Sequence, residues 1–354
     1  MDNTFDDSKI EPAAPEWKVY FEGNFWGHLG RDRAGTEIRL DQQFDWAGHH
    51  WVIPAVYSCG KGLVVDLCMR TEAKDIRRFI AKWNLTAEND SEENFTQEQQ
   101  MQIELENPLD LDFSAQIELN GKTLQSPHGC AVGISPCLPD GAANEKVAQV
   151  AAAHYGLDDS YGWTIYRRCY PWAGKRRPEI RSLSLTMKQQ PCCVPGPHFR
   201  THAPGDSFSF SHPVSGTEYT LTVQELERQS IPQAQFDSDR WAYPTHFTAM
   251  SYTLSPDPDD AISICDCAAG DRPLEIAPCT NYYASEAQND IACTVVIGGA
   301  AGPAGPAVTV FGKNKQGSLH AVCSALHFEP AAEDIEWRVV FHVVSFPNET
   351  FLLI

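Results

Sequence analysis

The chain has 354 residues, a formal net charge of -20 at pH 7 and a pI near 4.9. That length exceeds what one hydrophobic core usually serves, so two domains are expected; a composition of 42% hydrophobic and 10% aromatic residues excludes disorder throughout. The acidic balance opposes nucleic acid as a partner, because such affinity comes chiefly from Lys and Arg neutralising phosphates.

Residues 1–15, with Asp2, Asp6, Asp7, Pro12 and Pro15 and few apolar groups, read as a disordered leader. The leader lacks the positive and apolar regions of a secretory signal, and no apolar run is long enough to span a bilayer. The expectation is therefore a cytoplasmic protein without membrane contact. Period-two alternation then predicts strands at Lys18–Glu22, Trp51–Tyr57 and Leu63–Met69, with Pro54 marking an edge or a bulge because proline cannot donate to a ladder. Thr71 is placed to cap a helix over 72–83, where Ile76, Phe79, Ile80 and Trp83 share a face.

Residues 86–100 are polar and predict a loop; Met101, Ile103 and Leu105 then alternate with Gln and Glu as a half-buried strand would. Phe113–Leu119 runs into Asn120-Gly121, the dipeptide suited to a type I′ hairpin because both residues tolerate positive φ. Asn144 is placed to cap a second helix over 145–155, with Val147, Val150, Ala151 and His154 on one stripe and Gly156 ending it. Beyond a proline-rich stretch, strands are expected at 182–187, 207–210, 217–225, 245–254, 261–265, 292–297, 307–311, 318–328, 335–344 and 350–354. The fold class that follows is mainly β: two β-sandwich-like domains, at 16–175 and 176–354, with two short helices.

Between Gly162 and Arg177 five cations stand among four aromatic rings with no carboxylate, which makes this segment the candidate binding surface of an otherwise acidic molecule. Trp163, Tyr166, Tyr170 and Trp172 could stack on a sugar or another flat ligand while Arg168 and Arg176 hold an anionic group. Alternation puts Trp163, Ile165 and Arg167 on one face and Thr164, Tyr166, Arg168 and Tyr170 on the other, and only one of those faces is expected to be fully buried. The competing reading is local: cations resting on rings and neutralising the protein's own carboxylates.

Other constellations are weaker. Cys192, Cys193, His198 and His202 lack the two-to-four-residue cysteine spacing of a zinc site, and their prolines argue for a loop, so no metal is expected. The run from Gly298 to Pro306 lacks the Gly-Lys-Ser/Thr of a phosphate loop, and no cofactor is expected. His49 and His50 beside Trp46 and Trp51 suit packing better than a site. The twelve cysteines, irregularly spaced, read as reduced and mostly buried. The expected function is a non-enzymatic module for a carbohydrate, an anionic small molecule or an acidic partner; the alternatives are a glycan-directed hydrolase with unidentified carboxylates and an assembly protein whose strands pair into a homo-oligomer.

Overall fold

A computed structural model describes residues 17–28, 30–86, 95–138, 143–174, 176–232, 241–258, 261–275, 312–314, 317–330 and 334–354. The expected leader, the strands at 292–297 and 307–311, the glycine-rich run at 298–306 and Lys175 lie outside the described residues. The protein is mainly β with antiparallel sheets, and no helix is long and apolar enough to cross a membrane.

The chain divides into two compact units: Met1–Glu88 with Pro108–Gln189 and Phe346–Ile354, and Asn89–Asn107 with Gln190–Ser345. The sequence suggests one cut near 175; the structure shows a threaded division, with 89–107 joining the second unit and 346–354 returning to the first. Local pattern marks a strand but not its partner, and strand partnership decides membership here.

In the first unit, β1 (Thr36–Trp46), β2 (His49–Ser58), β3 (Gly62–Thr71), β6 (His128–Ile134) and β7 (Gly162–Pro171) form a sheet in the order β1-β2-β3-β7-β6. A second sheet, β19-β8-β4-β5, combines β4 (Phe113–Leu119), β5 (Lys122–Leu124), β8 (Leu183–Gln189) and β19 (Glu349–Leu352). Trp51, Leu63, Leu67, Tyr166 and Tyr170 from the first sheet meet Phe113, Ile117, Leu185, Met187 and Leu353 in one core. On the opposite face of the first sheet, Cys68, Ile165 and Cys169 pack against Val19 and Phe21 and against Ala148, Ala151 and Tyr155 of α3 (Lys146–Tyr155). The five-stranded sheet is thus covered on both faces, which is why β3 reads as a nearly continuous apolar run rather than an alternation.

Pro54 sits in a bulge, as its sequence context implies. Val52 pairs with Cys68 and Val56 with Val65, one residue too many on β2, while opposite it β1 carries an extra residue with Asp41 at φ 50. The Asn120-Gly121 hairpin forms with φ of 49 and 77 and Leu119 opposite Lys122. The final strand is paired through β8, and Leu353 is buried.

In the second unit, β10 (Ser207–Ser211), β11 (Glu218–Ser230), β13 (His246–Ser255), β16 (Gly312–Asn314) and β17 (Gly317–Cys323) form a sheet ordered β10-β11-β13-β17-β16. A three-stranded sheet orders β14 (Ile262–Asp266), β18 (Ile335–Val343) and β9 (Cys192–Thr201) as β14-β18-β9, and the short strands β12 (Trp241–Ala242) and β15 (Leu274–Glu275) pair separately. Leu221, Val223, Met250 and Val322 meet Ile264, Trp337, Val339 and Phe341 in its core, a sandwich of two sheets.

Several local expectations are corrected. Lys18–Glu22 is irregular, not a strand: a turn at Gly23, whose N–H donates to the Tyr20 carbonyl, folds it while Val19 and Phe21 point into the core. Met101, Ile103 and Leu105 lie on a helix, α2 (Gln97–Glu106), because Thr96 and Gln99 form a capping box and Gln and Glu favour helix; only Met101 is buried. Among the described residues three helices therefore stand where two were expected. Thr71 does not cap α1 (Ala73–Trp83), since its hydroxyl donates to the Pro108 carbonyl, and Ile76 alone of the expected stripe is buried. Asn144 does not cap α3, because its amide clasps the Ser135 backbone, and Ala148, Ala151, Ala152 and Tyr155 form the buried face. Cys192–Thr201 is an edge strand despite Pro195 and Pro197, which fall at a bulge where the register with β18 shifts.

Candidate functional site

The basic-aromatic segment is β7, the fourth strand of a five-stranded sheet, and both of its faces are buried. Trp163 belongs to the core beneath α3, whereas Tyr166 and Tyr170 belong to the core between the sheets, with Trp172 packed against it. The four rings therefore fall on opposite faces of one sheet. Their polar atoms are engaged internally: Trp163 Nε1 donates to the Asp158 carbonyl, Tyr170 Oη to that of Ala115 and Trp172 Nε1 to that of Cys59, while Tyr166 Oη accepts from the Leu111 N–H. Arg168 is half-buried, with its guanidinium over the Phe113 ring and Nη2 donating to the Phe113 carbonyl. Arg176 is exposed.

The residue of this segment with the most organised surroundings is Arg167, 2% exposed. Strand register sets it directly opposite Asp66 of β3, itself 0% exposed, and the guanidinium holds the carboxylate through Nε at 2.8 Å and Nη2 at 2.6 Å. Tyr155 Oη donates to Asp66 Oδ2 at 2.5 Å. Because Tyr155 spends its proton there, it accepts from Tyr57 Oη at 2.7 Å, and Tyr57 in turn accepts from Trp17 Nε1 at 2.9 Å. One directed chain thus runs from Trp17 through both tyrosines to Asp66. The arginine Cζ lies 4.1 Å over the Phe25 ring and 5.4 Å over that of Trp17. Burial opposes its charge, but the Asp66 carboxylate outweighs burial and holds the pKa of Arg167 above the ordinary arginine value. Burial, reinforced by the charge of Asp66, raises Tyr155 well above the usual phenol range.

Arg167 lines a groove of roughly 570 Å³ together with Trp17, Lys18, Asn24, Phe25, Trp26, Glu145, Lys146, Val147 and Val150. Trp26 is 58% exposed yet fixed. Its backbone N–H and that of Gly27 donate to Asn24 Oδ1, and its indole N–H donates to Glu145 Oε2 at 2.8 Å. Glu145 occupies the N-cap of α3 but makes no capping bond with its side chain, which holds Trp26 instead. Phe25 meets Trp26 edge to face at 6.4 Å.

A second cavity of roughly 360 Å³ lies in the same unit, lined by Asp45, Gly48, His49, His50, Arg70, Thr71, Glu72, Asp75 and Pro108. It opens beside the β1–β2 turn, where Ala47 and Gly48 take φ of 52 and 77. His50 Nδ1 lies 2.9 Å from Asp45 Oδ1. Burial lowers the pKa of His49.

In the second unit the cysteine–histidine group disperses along β9. Cys193 Sγ lies 3.8 Å from His342 Nδ1, His198 stands between Glu98 at 3.2 Å and Glu336 at 3.3 Å, and His202 meets Asp334 at 2.8 Å. The ten described cysteines are free thiols. Comparison with protein-family models, with curated proteins and with solved structures yields no match to this chain.

Sequence reasoning missed Trp17, Phe25, Trp26 and Asp66. The available signal was Asp66 itself: a carboxylate inside the apolar run Leu63–Met69 requires a buried cation, and Arg167 is the cation that alternation puts among apolar neighbours.

Proposed function

We propose that the protein is a non-enzymatic carbohydrate-binding module whose first unit takes sugar rings in the groove formed by Trp17, Phe25 and Trp26. The observation that carries this reading is Trp26. An exposed indole held at both its backbone and its ring nitrogen loses little freedom when a flat apolar face stacks on it, so the contact is preorganised. Asn24 and Lys146 add polar groups at the groove wall, the mixture of apolar faces with a few directed donors that suits a small polar ligand. The reading moves the binding surface from the middle of β7 to the segment 17–26 and α3, with Arg167 as the contribution of β7.

Titration calorimetry against a panel of neutral and acidic oligosaccharides tests it. A sugar that binds the native chain should bind Trp26→Ala at least about fivefold more weakly, the lower end of the cost of losing a stacked aromatic contact. Equal binding by the folded variant would place the ligand elsewhere. A glycan hydrolase remains the second reading, supported by the cavity that gathers Asp45, Glu72 and Asp75 around the His50–Asp45 pair. Release of reducing ends from a bound glycan, abolished in Asp45→Asn, would favour it over binding alone.

A further inference from the structure

We infer that the ligand of this groove carries a carboxylate, which Arg167 reads through its free Nη1 edge. The inference rests on the carbohydrate-binding reading and narrows it to acidic sugars. Arg167 spends Nε and Nη2 on Asp66, so one edge of the planar guanidinium is fully committed. Nη1 donates to no described residue and is not among the fully buried unpaired atoms, so in a side chain only 2% exposed that lines the groove it keeps access to solvent. A donor that the protein leaves open in a groove, on a group immobilised by a bidentate pair and by two aromatic rings, is the arrangement that a ligand oxygen completes.

The shape of the slot selects the anion. The Phe25 and Trp17 rings, with centroids 4.1 and 5.4 Å from the guanidinium carbon, occupy part of the space around it and narrow the approach to its free edge. A carboxylate is planar and meets a guanidinium edge with its oxygens in one plane, and it is an anionic group that a sugar ring can carry. A ring bearing the carboxylate at one end would then extend toward Trp26. Asp66, Tyr155 and Tyr57 act as positioning residues: the Tyr155 hydroxyl, itself bonded to Tyr57, holds the Asp66 carboxylate turned to Nε and Nη2 and so fixes the guanidinium.

The test compares three probes with the native protein: a uronic-acid trisaccharide, its methyl ester and the neutral trisaccharide of the same linkage, at 0.05 and 0.5 M NaCl. The acid should bind at least about tenfold more tightly than the other two, the factor of a hydrogen bond to a charged group. That preference should persist in high salt, because screening acts weakly on a buried charge. Equal binding of all three probes overturns the inference yet leaves the groove reading standing, whereas binding of none defeats the groove reading itself. A preference that vanishes at 0.5 M NaCl assigns the anion to the surface lysines and overturns the role of Arg167. Arg167→Lys keeps the charge and loses the free edge, so a folded variant should lose the preference for the acid. Tyr155→Phe, the milder change, should reduce the preference for the acid.

Discussion

At the scale of the residue, the Asp66–Arg167 pair sets the chemistry of the first unit. Two charges removed from water are tolerated only because each is met by directed partners, and taking away one strands the other. Asp66→Asn should therefore cost about 3–5 kcal/mol of unfolding free energy, read from urea titration; a change under about 1 kcal/mol would mean that water reaches the guanidinium. The thiols near the same pair give a pH dependence. Burial raises Cys59 from 9.0 to about 11 and Cys169 to about 12, so the folded state holds these protons more tightly than the unfolded one. Their contribution to stability is complete below pH 9 and drains away as pH rises through 11 and 12. The melting temperature should fall by several degrees between pH 8.5 and 10.5, and the fall should be smaller in a Cys59→Ala, Cys169→Ala variant. A flat profile would show that the thiols are hydrated. The charge pair was only half legible in the sequence. Asp66 in an apolar run announces a buried carboxylate, but the register that brings residue 167 to it spans 101 positions and leaves no local trace.

At the scale of the element, composition told strand from helix wherever a pattern was long. The strands at 51–57, 63–69, 113–119, 182–187 and 335–344 and the helices at 72–83 and 145–155 appear close to their expected bounds. Short patterns failed where local hydrogen bonding overrode them. Met101, Ile103 and Leu105 alternate as a strand should, yet the Thr96–Gln99 capping box starts α2 five residues earlier. Removing that box should loosen this helix in particular: Thr96→Ala should cost about 0.5–2 kcal/mol locally, seen as faster amide exchange over 97–106 with unchanged protection in β18. Exchange unaltered in α2 would show that its anchors suffice, namely buried Met101 and the Arg338 bonds to Gln97 and Glu98. The segment 162–177 places charge and aromaticity on a strand that lies inside the sheet. The same residues that resemble an exposed platform in sequence pack on opposite faces of one sheet, and the exposed ring, Trp26, sits in a turn whose local composition is unremarkable.

At the scale of the whole molecule, each unit is completed by a stretch of chain from beyond its main run. The segment 346–354 supplies β19, whose pairing extends the sheet beside β8, and Leu353 to the core between the sheets. A fragment ending at Gln189 should therefore melt at a lower temperature and less cooperatively than the same fragment joined by a flexible linker to 346–354, as followed by circular dichroism. Equal melting of the two would make β19 dispensable. The threading also sets an order of events during synthesis. The ribosome makes residues 190–345 after β8 and before β19, and at about 5–20 residues per second that interval lasts roughly 8–30 s. For that time the nascent first unit holds β8 without its outer neighbour, so its last strand is added only after the second unit has been made.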